Sequence, residues 1–180
     1  MSVDERMVHD IVQKVMANMQ ISGSVSGMHG VFKDMNDAIN ASIEAQKKVC
    51  TMTLDQREQI ISLIRKKTHE NAEILANMGV NETGMGNVGD KILKHHLTAD
   101  KVPGTEDIST IAWSGDRGLT LVEMGPFGVI GAITPATNPS ETVICNCIGM
   151  LAGGNTVVFN PHPAAVKTSI YAINLLNEAS

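Results

Sequence analysis

The sequence predicts an α/β fold: part of a Rossmann-type parallel sheet with flanking helices and a separate antiparallel hairpin. Three observations predict it. The first half has helical periodicity with few strand signals. A pair of short β-type runs, "ISTIAW" and "LTLVEM", is separated by the glycine-bearing turn "SGDRG". Then "GVIGAIT", apolar on both faces, and a second buried run, "NTVVFN", flank a helical stretch. Strands covered on both faces read this way, and a helix between two of them makes a right-handed βαβ crossover.

The elements follow in order. Over residues 1–20, Val3, Met7, Val8, Ile11, Val12, Val15, Met16 and Met19 recur at helical spacing among charged residues. This is a short amphipathic helix with one apolar face. Residues 21–32 are rich in Gly and Ser and read as a flexible linker. A tethered apolar face needs a surface, either its own domain or a partner. Residues 33–106 are helical. One helix runs from Met35 to about Val49. A longer one opens after Thr53 and ends near Asn77, and a third covers "DKILKHHLTAD". The hairpin occupies 107–124. Residues 125–180 form the βαβ unit, with a helix from about Ser140 to Leu151 and another starting after Pro163.

Composition sets limits on function. The 180 residues are 43% hydrophobic and 18% charged, which suits a packed globular chain. A net charge of −5 without a basic run argues against a nucleic-acid partner, and aromatics at 3% leave few stacking platforms. No apolar run approaches the roughly 20 residues of a membrane-spanning helix. Three cysteines, Cys50, Cys145 and Cys147, make no disulfide framework, so a reducing cytoplasm is expected.

Several motifs have ordinary readings. Gly84, Gly86 and Gly89 spell G-x-G-x-x-G, but a helix precedes them where a dinucleotide fingerprint needs a strand. They read as a turn. His69 and Glu70 read as a solvated helix face. His95 and His96 are adjacent, so on a helix they diverge and make a poor chelate; no metal is expected. Cys145 and Cys147 read as packing residues in an apolar helix.

The specific signal is "GAITPATNPSET". Ligands of open α/β sheets bind outside the carboxyl ends of the strands. One strand end presents Thr134, Pro135, Ala136, Thr137 and Asn138. The other presents Asn160, Pro161, His162 and Pro163. Neighbouring strands would place both loops on one crevice. Asn138 has two readings. With Pro139 at N1 and Glu141 in the first turn it is a good helix cap. It is also an amide donor for an oxygen that becomes negative during attack. The two coexist, because a cap uses the oxygen and leaves the NH2 free.

These residues resemble a known family. "NETGMGNVGDKILKHH", "GLTLVEMGPFGVIGAITPATNPSETVICNCIGMLAGGNTVVFNPHPAA" and the tethered N-terminal helix are together similar to the CoA-acylating aldehyde dehydrogenases of bacterial microcompartments. That resemblance implies an oxidoreductase converting a short-chain aldehyde, CoA and NAD+ to acyl-CoA and NADH. It implies an NAD-binding role for 33–106 and 125–180, an oligomerisation hairpin at 107–124 and a homo-oligomer when complete. Residues 1–20 would be an encapsulation peptide that docks on shell or cargo proteins, which puts the protein in the microcompartment lumen. Asn138 would be the oxyanion asparagine. Residues 134–137 and 160–163 would bind the cofactor, with Asn160 where other aldehyde dehydrogenases carry a lysine. The asparagine comes one residue later after the first proline than in the Pro-Trp-Asn-Phe-Pro of general members. The nucleophilic cysteine of the family lies downstream of residue 180, so the chain is expected to be an N-terminal portion and inactive alone. The competing expectation is a non-catalytic targeting or assembly module.

Overall fold

The computed structural model describes residues 28–179. The helix expected over 1–20 and most of the linker expected over 21–32 lie outside the described residues. Helix α1 spans Met35–Val49, α2 Leu54–Thr83 and α3 Val88–Lys101. Strands β1, Ile111–Gly115, and β2, Gly118–Val122, form the hairpin. Strand β3 is Val129–Thr134, α4 is Pro139–Ala152, β4 is Thr156–Pro161 and α5 is Val166–Asn177.

The helix starts are chemically marked. Asp34 accepts from Asn36 N at 2.8 Å, and Asn87 Oδ1 accepts from Asp90 N at 2.9 Å. Thr53 and Gln56 form a reciprocal capping box at the start of α2. That helix does not end near Asn77. It runs to Thr83 and stops at Gly84, which takes the left-handed conformation at φ +69°. Gly79 lies inside it. A Cβ there would stand 3.8 Å from Lys91 Cδ, an ordinary van der Waals contact.

The core lies where α2, α4 and α5 meet. Ile61, Ile64 and Leu75 pack with Val143, Ile144, Ile148, Ala172, Leu175 and Leu176. Each helix contributes an apolar stripe at three- and four-residue spacing, which an isolated helix cannot bury.

Strands β3 and β4 pair in parallel, Val129 opposite Thr156 through Thr134 opposite Pro161. The expectation of cover on both faces is corrected at the carboxyl end. Ala132 and Thr134 are 7% and 1% exposed, while Ile133 on the opposite face is 85% exposed. The hairpin stands apart from the core. Its strands pair antiparallel around a two-residue turn, Asp116-Arg117, and every strand residue is exposed.

Candidate functional site

Both loops singled out in the sequence leave the sheet side by side. The His162 backbone N–H donates to the Thr134 carbonyl at 3.1 Å, one step beyond the Thr134–Pro161 pair. Thr134 is buried, and its Oγ1 has no hydrogen-bond partner among the described residues. Pro135 and Thr137 are exposed and Ala136 is buried. On the second loop Asn160, His162 and Pro163 are exposed and Pro161 is half-buried. His162 Nδ1 accepts from Ala164 N at 3.1 Å, which starts the 3-10 turn Pro163–Ala165. The Glu82 carboxylate, reaching from α2, accepts from Lys167 N and Thr168 N at 2.8 and 2.7 Å and caps the helix behind this loop.

Asn138 occupies the N-cap position of α4, with Pro139 at N1, but its side chain makes no cap hydrogen bond. The capping reading of its amide is therefore corrected. Its backbone, at φ −138° and ψ 66°, has turned the side chain to another partner. The amide oxygen accepts from Lys94 Nζ at 3.3 Å, and no acceptor among the described residues pairs with the NH2.

Sequence reasoning missed the face of α3 that holds this loop. Lys91, Lys94 and His95 stand at i, i+3 and i+4 and so share one side of the helix. Lys91 Nζ donates to the Thr137 carbonyl at 2.9 Å and pairs with Glu141 Oε1 at 3.2 Å. The two side chains are 4% and 7% exposed. His95, fully buried, bonds the Lys91 carbonyl through Nδ1 at 2.7 Å and Ser140 Oγ through Nε2 at 2.8 Å. A carbonyl only accepts, so Nδ1 carries the proton, and neutral Nε2 accepts from the serine hydroxyl. Burial pushes the imidazole below its ordinary pKa, against the opposing pull of Glu141. The signal was present: Lys91, His95 and Ala99 occupy the buried stripe of α3, and polar residues on a core stripe require partners.

Other candidates fall elsewhere. Gly84 and Gly86 make the expected turn after a helix, and Gly89 already lies in the first turn of α3, which restarts at Val88 rather than at Asp90. His69 is not simply solvated. Its Nδ1 lies 2.7 Å from His96 Nδ1 and its Nε2 2.8 Å from Asp100 Oδ1. Among the described residues no group of three metal-ligating side chains converges. Cys147 packs against the core, and burial pushes its thiol up to about 12. Cys145 is exposed, which corrects its packing reading, because residues two apart on a helix point apart.

The strand ends suit a nucleotide cofactor. Cross-strand partners share a face, so exposed Ile133 lies beside exposed Asn160. An apolar platform next to an amide fits a base and its ribose. The unpartnered Thr134 Oγ1 lies on the opposite, buried face of β3 and is not part of this platform.

Comparison with known proteins identifies the family. A profile of the aldehyde dehydrogenase family matches residues 15–180. The chain is 46% identical to an acetaldehyde dehydrogenase (acetylating) of Bilophila wadsworthia, over 97% of this chain and 38% of that enzyme. Its structure is similar to that of a propionaldehyde dehydrogenase from the Clostridium phytofermentans fucose utilisation bacterial microcompartment. The TM-score is 0.83 at 76% identity, over 84% of this chain and 35% of that one. A Rhodopseudomonas palustris propionaldehyde dehydrogenase, solved with bound CoA and an acylated cysteine, gives a TM-score of 0.81 at 48% identity, over 83% and 35%. The chain thus spans little more than a third of these proteins. With the profile and the structural likenesses running along the same stretch, the chain belongs to the aldehyde dehydrogenase family and is similar to its CoA-acylating members.

Proposed function

We propose that this chain is the part of a CoA-acylating aldehyde dehydrogenase that binds NAD and supplies the oxyanion donor. The reaction is RCHO + CoA-SH + NAD+ → RCO-S-CoA + NADH + H+, with propionaldehyde or acetaldehyde as substrate. A cysteine thiolate outside these residues adds to the aldehyde carbon, and the carbonyl oxygen takes the negative charge. The Asn138 NH2 stabilises that oxygen. NAD, when bound, accepts the hydride. Residues 134–137 and 160–163 then orient the cofactor against the same crevice. The observation that supports this best is Asn138 itself: it stands at the carboxyl end of β3 with its oxygen engaged and its NH2 unpaired.

The test uses the complete protein that carries this chain. NADH formation from propionaldehyde is followed with saturating CoA and NAD+. Replacing Asn138 by Ala should lower kcat by about 100- to 1000-fold, the usual cost of one oxyanion donor. A variant that turns over at the parent rate removes Asn138 from the mechanism.

The remaining roles belong to the same proposal. The exposed hairpin, with Trp113 57% and Leu121 59% accessible, supplies the oligomer contact, since an isolated two-stranded ribbon is marginal in water. The apolar face of residues 1–20 docks on shell or cargo proteins and brings the enzyme to the microcompartment lumen. The likeness to an enzyme of such a compartment supports this reading over a purely non-catalytic targeting module.

A further inference from the structure

We propose that Lys94 is a positioning residue that sets which end of the Asn138 amide faces the reacting carbonyl. This rests on the reading of Asn138 as the oxyanion donor. A carboxamide has nearly the same shape with its oxygen and NH2 exchanged. Only one of the two orientations helps the reaction, because the oxygen would repel the developing charge. Something must select the NH2.

The helix does not select it. A side-chain cap would have held the amide oxygen against the α4 backbone, and no such bond is made. Lys94 Nζ holds it instead, at 3.3 Å. An ammonium has three donors and no acceptor, so it takes the oxygen and rejects the NH2. The opposite orientation would set N–H groups against N–H groups beside a positive charge. The ammonium also draws electron density toward the amide oxygen, which makes the NH2 a stronger donor.

Lys94 is well placed because α3 is clamped to the loop on both sides of Asn138. Lys91 grips the Thr137 carbonyl before it, and Lys91 and His95 reach Glu141 and Ser140 after it. Lys94 lies between those two anchors on the helix and is itself exposed, so its removal leaves the buried clamp intact.

The test is a double-mutant cycle in the complete protein, with kcat and the KM values for CoA, NAD+ and propionaldehyde measured for Lys94→Met, Lys94→Arg, Asn138→Ala and the double variant Lys94→Met/Asn138→Ala. Lys94→Met should lower kcat about 10-fold and leave the KM values within about 2-fold. Lys94→Arg, which keeps the donor, should recover most of the rate. In the Asn138→Ala background, Lys94→Met should add less than about 2-fold, because the amide it orients is gone. Unchanged kcat in Lys94→Met beside a crippled Asn138→Ala overturns the positioning role alone. A rise in KM for CoA or NAD+ at constant kcat also overturns it, assigning Lys94 to a cofactor phosphate. Parent-like turnover in Asn138→Ala sinks the oxyanion reading, and the positioning role with it.

Discussion

Replacing Lys91 by Met isolates the energetics of the clamp. The Lys91–Glu141 pair is separated by 3.2 Å, and its side chains are 4% and 7% exposed. At an effective dielectric of about 20, two charges at that distance attract by about 5 kcal/mol. Removing both ions from water costs several kcal/mol each, so the intact pair contributes little net stability. The single substitution is another matter. Met keeps the aliphatic stem but leaves the Glu141 charge buried with no cation beside it, and Ser140 Oγ, 3.3 Å away, has its one proton on His95 Nε2. It also strips the Thr137 carbonyl of its donor. An unpaired buried charge costs about 3–5 kcal/mol. Thr137 is exposed, so water can replace the donor its carbonyl loses, and a loss of about 4 kcal/mol is expected from the stranded charge. The double variant Lys91→Met/Glu141→Leu should recover most of it, because the stranded charge is gone. Urea unfolding of parent, single and double variants, followed by far-UV circular dichroism, gives the midpoints that decide. A Lys91→Met loss below about 1 kcal/mol, or a double variant as unstable as the single, would refute the reasoning.

Acid should weaken the same region through His95. Its imidazole is held below the ordinary value of 6.5 by burial, with Glu141 opposing. Below that pH the unfolded chain takes up a proton that the folded chain resists, so stability falls as pH falls. The loss is absent well above 6.5 and accrues down toward the lowered native value. His95→Gln should flatten this part of the pH–stability curve, and parallel curves for parent and variant would contradict the assignment. For residues 1–20, a fusion to a fluorescent protein should gather in microcompartments. A diffuse signal in cells with assembled shells would count against docking through that segment.

Local chemistry made much of the fold legible. Helix α1 has the expected bounds because its period and its flanking residues agree. Thr53 opens α2 because a threonine followed three residues later by a glutamine satisfies two free N–H groups. The hairpin and the parallel pair were readable from runs of β-branched residues and from glycine turns. The end of α2 was not, since nothing between Asn77 and Thr83 forbids a helix and packing against α3 sustains it. At the site, the strand ends were readable from topology, and Thr134 does meet His162. The supporting residues were not, because Lys91 and His95 read as ordinary polar positions until a neighbouring loop covers them.

The sequence by itself determined where α1 and α2 start, which runs form the two strand pairs, and that Asn138 stands between a strand and a helix. These depend on spacings of a few residues, which the backbone periods of 2.0 and 3.6 convert directly into faces. Only the tertiary structure decided what the Asn138 amide does. Its oxygen could have gone to the adjacent helix, which is the local solution. It went instead to Lys94, 44 positions away in the chain. That choice follows from the docking of α3 against the loop through Lys91 and His95, a contact whose partners no local pattern specifies.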